Sequence, residues 1–204
     1  MTSAIGVAVL SQFAAPASAV NLINETFGTG LPNTYDIPAG SAVGTTGKFT
    51  VTTGDIDLIA DNSGFYLGNG NFIDLNGSNL GEITSISSYS FTNGGTLMFK
   101  YGANGLNRSA VVSIGGTPLG TISASQSPTF STQTYTIASG TTGALKFTSL
   151  DPGNAGIMLD SIVLDSINTP PSTDVPEPFT IIGTLVGGTA ALRLRKKLKV
   201  DSNV

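Results

Sequence analysis

The 204-residue chain contains no cysteine and no histidine. Without thiols there are no disulfides, no thiol nucleophile and no thiolate metal site. Without histidine, Ser-His-Asp and Cys-His catalysis are excluded, and the commonest ligand of zinc and copper is missing. Tryptophan is absent as well, so any stacking against a flat ligand face falls to tyrosine. Charge is sparse, at 11% of residues, and unevenly placed. Arg193, Arg195, Lys196, Lys197 and Lys199 cluster near the C-terminus. Between Val20 and Thr169, four basic residues (Lys48, Lys100, Arg108, Lys146) face ten acidic ones, a net charge of −6. Such a surface repels phosphate backbones, so nucleic acid is not an expected partner.

What is present points to strands. Glycine is abundant, with 26 residues, serine and threonine are frequent, and hydrophobic residues reach 40%. That mixture suits short strands and many turns around a real core, not a disordered chain. Candidate strands are Asn21–Phe27, Lys48–Thr53, Asp55–Ala60, Asn71–Leu75, Glu82–Phe91, Thr96–Tyr101, Ala110–Ile114, Leu119–Ala124, Phe130–Ile137, Ala144–Leu150 and Gly156–Leu164. Leu97, Phe99 and Tyr101 alternate with Thr96, Met98 and Lys100, and Asn93-Gly94-Gly95 and Gly115-Gly116 mark turns. No 3.6-residue period is sustained outside the two ends. Short strands at this spacing predict an all-β jelly-roll sandwich.

The ends read differently. Ala4–Ala15 is apolar and small, and Ala17-Ser18-Ala19 has the form of a signal-peptidase site. Residues 1–19 are therefore expected to be a signal peptide, with an N-terminal strand or helix of the fold as the alternative. Signal peptides begin with a basic region, yet the first basic residue here is Lys48, which places the expected true start upstream. At the other end, residues 169–175 form a Pro-rich polar linker. Pro176-Glu177-Pro178, the apolar run Phe179–Leu192 and the basic cluster follow. The run spans roughly 21 Å as a helix, short against a bilayer core of about 30 Å. A basic cluster directly after it keeps that end cytoplasmic and leaves the preceding domain outside.

The order Pro-Glu-Pro, apolar helix, basic end resembles the PEP-CTERM sorting signal of exported bacterial proteins, in its cyanobacterial form. The resemblance implies processing by an exosortase-type membrane protease and transient membrane insertion through residues 176–204. A plain C-terminal anchor is the alternative. The domain at 20–168 resembles the globular part of such proteins through Thr50–Ile59, Gly68–Gly77 and Gly156–Leu164. That part is similar to galactose-binding-like, carbohydrate-binding-module-like sandwiches.

Two carboxylates stand in apolar rows. Strand parity sets Asp160 on a face with Met158, Ile162 and Leu164, and Glu25 between Ile23 and Phe27. A carboxylate so placed needs a partner or a cation. In galactose-binding-like sandwiches the first and last strands often hold a structural calcium, so the resemblance implies Ca²⁺ at Asp160 and Glu25. Related domains place a Glu after the Phe, where this chain has Gly28. The alternative has Asp160 capping a strand or bonding backbone amides. For a sugar ligand, Tyr66 beside a glycine-rich turn, Arg108 and Asp74 are the candidates, with Arg108 pairing to an Asp as its alternative. Two carboxylates suffice for glycoside hydrolysis, but no spacing singles out a pair, and no catalytic residue is assigned. The expected protein is an exported, non-enzymatic surface or matrix protein that binds exopolysaccharide. A purely structural matrix or sheath component is the alternative, and a polysaccharide hydrolase a more distant one.

Overall fold

The computed structural model describes residues 18–61, 63–64, 70–103, 107–125 and 129–168. Ala17, Tyr66, the linker, Pro176-Glu177-Pro178, the run Phe179–Leu192 and the basic cluster lie outside the described residues. The described residues contain no helix, hence none long and apolar enough to cross a membrane.

One sheet holds β1 (Ser18–Glu25), β2 (Thr34–Pro38), β5 (Asp55–Ile59), β6 (Phe72–Asp74), β9 (Gly95–Ala103), β12 (Ser131–Ile137) and β15 (Ile157–Asn168). The other holds β3 (Ala42–Val43), β4 (Phe49–Thr53), β7 (Glu82–Ser85), β10 (Arg108–Ile114), β11 (Thr117–Ala124) and β14 (Leu145–Ser149). β8 (Tyr89–Phe91) and β13 (Thr141–Gly143) pair with each other. All pairings are antiparallel. The chain crosses between the sheets at β2–β3, β4–β5, β6–β7, β9–β10, β11–β12 and β14–β15, the interleaving of a jelly-roll sandwich.

Alternation along the strands builds the core. In β14, Leu145, Phe147 and Ser149 turn inward, while Lys146 turns out and meets Glu82 at 2.8 Å. Phe147 packs edge-on against Phe99 of the facing sheet, with ring centroids 5.1 Å apart. Phe49, Val51, Ile83 and Val112 close the core from one side, and Ile56, Ile73, Leu97 and Leu164 from the other. On the outer face of the first sheet, Ile59, Phe72 and Met158 form a second buried cluster with Phe130 against it.

β15 organises the first sheet. β9 runs along one side of it. On the other side, β6 takes Met158 and Leu159, and β1 takes Ile162 through Asn168. A bulge at Asp160 and Ser161 marks the handover. The extra residue reverses the parity, because side chains alternate strictly only in an unbroken ladder. Leu159, Ile162 and Leu164 therefore join the main core, whereas Met158 belongs to the outer cluster. The expected common face for Asp160, Ile162 and Leu164 is corrected accordingly. β1 also begins earlier than expected, with Ser18 and Ala19 paired to Asn168 and Ile167.

Candidate functional site

The richest concentration of polar groups lies beside β2, an edge strand of the first sheet. Asp55 and Asp57 are two residues apart in β5, so strand alternation puts both on the outer face, with Ile59 beyond them. β2 pairs with β5 but slips register between Thr34 and Ile37. Within that bulge Asp36 adopts φ 54°, a left-handed conformation that Asp tolerates. Its N–H then donates to Asp57 Oδ1 at 2.8 Å. Asp36 Oδ1 accepts from the Ser78 N–H and hydroxyl at 2.9 and 2.8 Å. Asp55 takes the Asn79 N–H on one oxygen and its amide on the other.

Gly77 sits at the focus of this network. A Cβ there would fall 2.5 Å from Asp55 Oδ1, 2.9 Å from Asp36 Oδ1 and 3.0 Å from Asp57 Oδ1. The turn carrying Ser78 and Asn79 can approach the three carboxylates only because Gly77 has no side chain. Burial pushes the Asp57 carboxyl above its ordinary value, and the negative charges of Asp36 and Asp55 add to that push. Burial acts the same way on Asp55, but there the hydrogen bonds from Asn79, Ser78 and Gly77 win and its pKa is lowered. The engaged oxygens meet N–H and O–H donors, the surroundings of amide-held anions and not of a cation cage.

A cleft of about 350 Å³ opens over this network, lined by Asn33, Tyr35, Asp36, Asp57, Ser78 and Asn154 among others. Tyr35 is 61% exposed on its rim. Asn33 holds it by donating to the phenol oxygen at 2.9 Å, while the Asn33 carbonyl accepts from the Ala60 N–H at 2.6 Å. Asn33 also lines a second cleft of about 530 Å³, formed with Leu31, Pro32 and Asp61, so the two meet there. The second carboxylate oxygens of Asp36 and Asp57 take no hydrogen bond among the described residues. An exposed ring beside acceptors with spare lone pairs is the chemistry that recognises a polyhydroxylated ligand with an apolar face.

The structure distributes the expected site residues differently. Asp74 lies in β6 opposite Asp57, buried, and accepts from the Asn76 N–H. Arg108 opens β10 in the other sheet, away from this cleft, and its Nε is buried without a partner. No ion pair joins it to an Asp among the described residues. Tyr66 lies outside the described residues. Tyr35 and Asp36 went unselected in the sequence; the only signal for them was the alternation of Asp55 and Asp57 and the polar run around Tyr35.

Glu25 and Asp160 do not share a site. Glu25 is fully buried beside Gly44, which has φ +89° and whose Cβ would fall 2.3 Å from its carboxylate. Oε1 accepts from the N–H groups of Thr26, Phe27 and Thr45 and from the Thr45 hydroxyl. Oε2 accepts from the Thr46 N–H and hydroxyl. Burial alone would raise its pKa, but these donors outweigh it and the carboxyl is lowered. Asp160, in the β15 bulge, is buried beside Lys100 at 3.4 Å. Burial raises its pKa and Lys100 pulls against that. A calcium ion needs open oxygen lone pairs, so the donor-filled Glu25 and the lysine-paired Asp160 do not fit the calcium site that the resemblance implies.

No protein-family model matches the chain, and no curated protein matches it. Among solved structures it is similar to the C-terminal CBM6 of LamC, a marine laminarinase from Zobellia galactanivorans. That match has 10% identity and TM-score 0.42 and covers 72% of this chain and 98% of the other. A family 35 carbohydrate binding module from Clostridium thermocellum matches at 15% identity and TM-score 0.42, covering 74% and 99%. The K1 cleaved adhesin domain of Lys-gingipain from Porphyromonas gingivalis matches at 14% identity and TM-score 0.46, covering 73% and 98%.

Proposed function

We propose that the sandwich is a non-catalytic carbohydrate-binding domain and that the cleft beside β2 is its sugar site. The observation that carries this reading is Tyr35: exposed, fixed by Asn33, and adjacent to two carboxylates with one uncommitted oxygen each. A pyranose would lay a C–H face on the ring and donate hydroxyls to Asp36 and Asp57, with Ser78 and Asn154 in reach of further hydroxyls. Asp55, with both oxygens occupied by Asn79, holds the Ser78–Asn79 turn in place and leaves the sugar hydroxyls to Asp36 and Asp57.

The setting we propose is extracellular. The apolar, signal-like segment Ala4–Ala15 that precedes β1 directs export. Residues 176–204 insert in the membrane until an exosortase-type protease acts near Pro176-Glu177-Pro178. The domain is then left at the cell surface or in the matrix, where exopolysaccharide is the ligand. A glycan array with the full chain, followed by calorimetry on any glycan retained, tests the central step. Tyr35→Ala is expected to weaken binding at least about tenfold, the loss of one stacking contact in a polar site, while leaving the melting curve unchanged. A blank array, or a Tyr35→Ala chain that binds as well as the parent, removes this site and leaves a purely structural matrix role.

A further inference from the structure

Every open sheet ends in strands whose outer N–H and C=O groups lack partners, and proteins guard such edges with charge, proline, bulges or brevity. The edges here are guarded unequally. β2 carries Asp36, Pro38 and a bulge. β3 is two residues long. β11 contains Pro118 and shifts register beside it. β1 is bulged between Asn21 and Ile23 and ends in Glu25. β12 has none of these devices. It reads Ser-Thr-Gln-Thr-Tyr-Thr-Ile, pairs unbroken with β9 from Ser131↔Tyr101 to Ile137↔Gly95, and has no other strand partner among the described residues.

The surroundings of β12 carry little net charge: Lys100, opposite Thr132 on β9, is paired with Asp160. No charged residue occurs from Ser109 through Leu145. β11 lies on the same side of the sandwich, with Gly120 against the Tyr135 ring, so two adjacent edge strands carry no charge at all. The residues between Val20 and Thr169 carry a net charge of −6. Two copies therefore repel each other on most approaches and least on this one.

We propose that β12 is a self-association edge, pairing antiparallel with β12 of a second copy across a twofold axis at Thr134. The side chains are self-complementary in that register. Tyr135 and Ile137 turn inward, Tyr135 stacking near Phe99 with centroids 6.1 Å apart, while Thr132, Thr134 and Thr136 stand exposed on the outer face. Centring on Thr134 sets it opposite its own copy and sets Thr132 opposite Thr136 twice. The result is a ladder of threonine pairs joined through hydroxyls and methyls. A second copy supplies that ladder by symmetry, as an isologous interface requires. The two first sheets become one continuous sheet. This inference stands independently of the sugar site.

The absence of native cysteine makes cross-linking clean, since each introduced thiol is unique. The experiment uses the full chain in detergent micelles, which mask its apolar ends. Thr134→Cys is expected to form disulfide dimers under mild oxidation, because directly opposed Cβ atoms lie about 4.5–5.5 Å apart. Ile86→Cys, 62% exposed between β7 and β8, is expected to stay monomeric. Thr132→Cys and Thr136→Cys should cross-link when mixed and poorly alone, since about 13 Å separates like positions in an antiparallel pair. Thr134→Lys, which retains its melting curve, should weaken self-association roughly fivefold or more by opposing like charges. A chain that sediments as a monomer overturns the proposal. So does Thr134→Cys linking no faster than Ile86→Cys, or Thr132→Cys alone linking as well as the mixture. A Thr134→Cys thiol shielded only on adding polysaccharide or another protein assigns the edge to that occupant and overturns it too.

Discussion

Glu25→Gln isolates how a wholly buried carboxylate stabilises this sandwich. Gln has the same shape but replaces one acceptor oxygen with a donor. Its best orientation keeps the oxygen on the side where Thr26, Phe27 and Thr45 donate and sets the NH₂ group against Thr46. The Thr46 hydroxyl can rotate to accept from it; the Thr46 N–H cannot. The N–H of the exposed Thr46 loses a hydrogen bond to a charged acceptor, worth about 1.5–3 kcal/mol, and losing the charge weakens the bonds that remain by about 1 kcal/mol more. The expected loss is about 2–4 kcal/mol at pH 7, or about 5–15 °C in midpoint for a domain of this size. The acid limb gives a second signature. The folded-state pKa of Glu25 is lowered, so its contribution is complete above the unfolded glutamate value, about 4.3, and disappears as pH falls through the folded value. Gln does not titrate. The gap between parent and variant should therefore be widest at neutral pH and shrink toward pH 3. Urea unfolding followed by circular dichroism across that range measures it. A neutral-pH gap below about 0.5 kcal/mol, within the range of an ordinary surface change, or a gap that does not vary with pH, would refute the reasoning.

Two further outcomes follow from the same electrostatics. Asp57 has a raised folded-state pKa, so its ionisation opposes folding above that value and has no effect below the unfolded one. Asp57→Asn keeps an oxygen for the Asp36 N–H and should raise the melting midpoint at pH 7 while leaving it unchanged at pH 3; a lower midpoint at pH 7 would contradict the assignment. EDTA should leave the midpoint of the parent chain unmoved, since the Glu25 oxygens are filled by donors and Asp160 by Lys100. A fall in midpoint that calcium restores would show a cation bound to other groups.

Much of the sandwich was legible because its core strands obey alternation. β4, β5, β9, β10, β12 and β14 all fall within a residue or two of their expected bounds. The misses are short or irregular. β3 and β13 are two and three residues long, too brief for a period to show. β2 contains Pro38 and a left-handed Asp36, which break both propensity and register. Glu82–Phe91 reads as one strand but divides into β7 and β8, where the Ser85 hydroxyl turns back to donate to the Ser87 carbonyl while accepting from the Leu145 N–H. The β15 bulge is the costliest miss for the site. One extra residue sends Asp160 to the opposite face from Glu25, and nothing in Leu-Asp-Ser-Ile announces it. Asp36 joins Asp57 through a backbone φ, not through any spacing in the chain.

The pairing of β1 with β15 has a mechanical consequence. Ser18 and Asn168 are opposite one another at the open end of that ladder, so the chain enters and leaves the domain at one point. Tension drawn through both flanks would load the end bonds along their own direction and not shear the whole ladder at once. The ladder would then open one pair at a time from Ser18↔Asn168 inward, each step resisted by a bond or two. Tension drawn through a single flank transmits nothing across the pair. A domain of this geometry carries no load across the β1–β15 ladder when held by one end and peels readily when stretched between two.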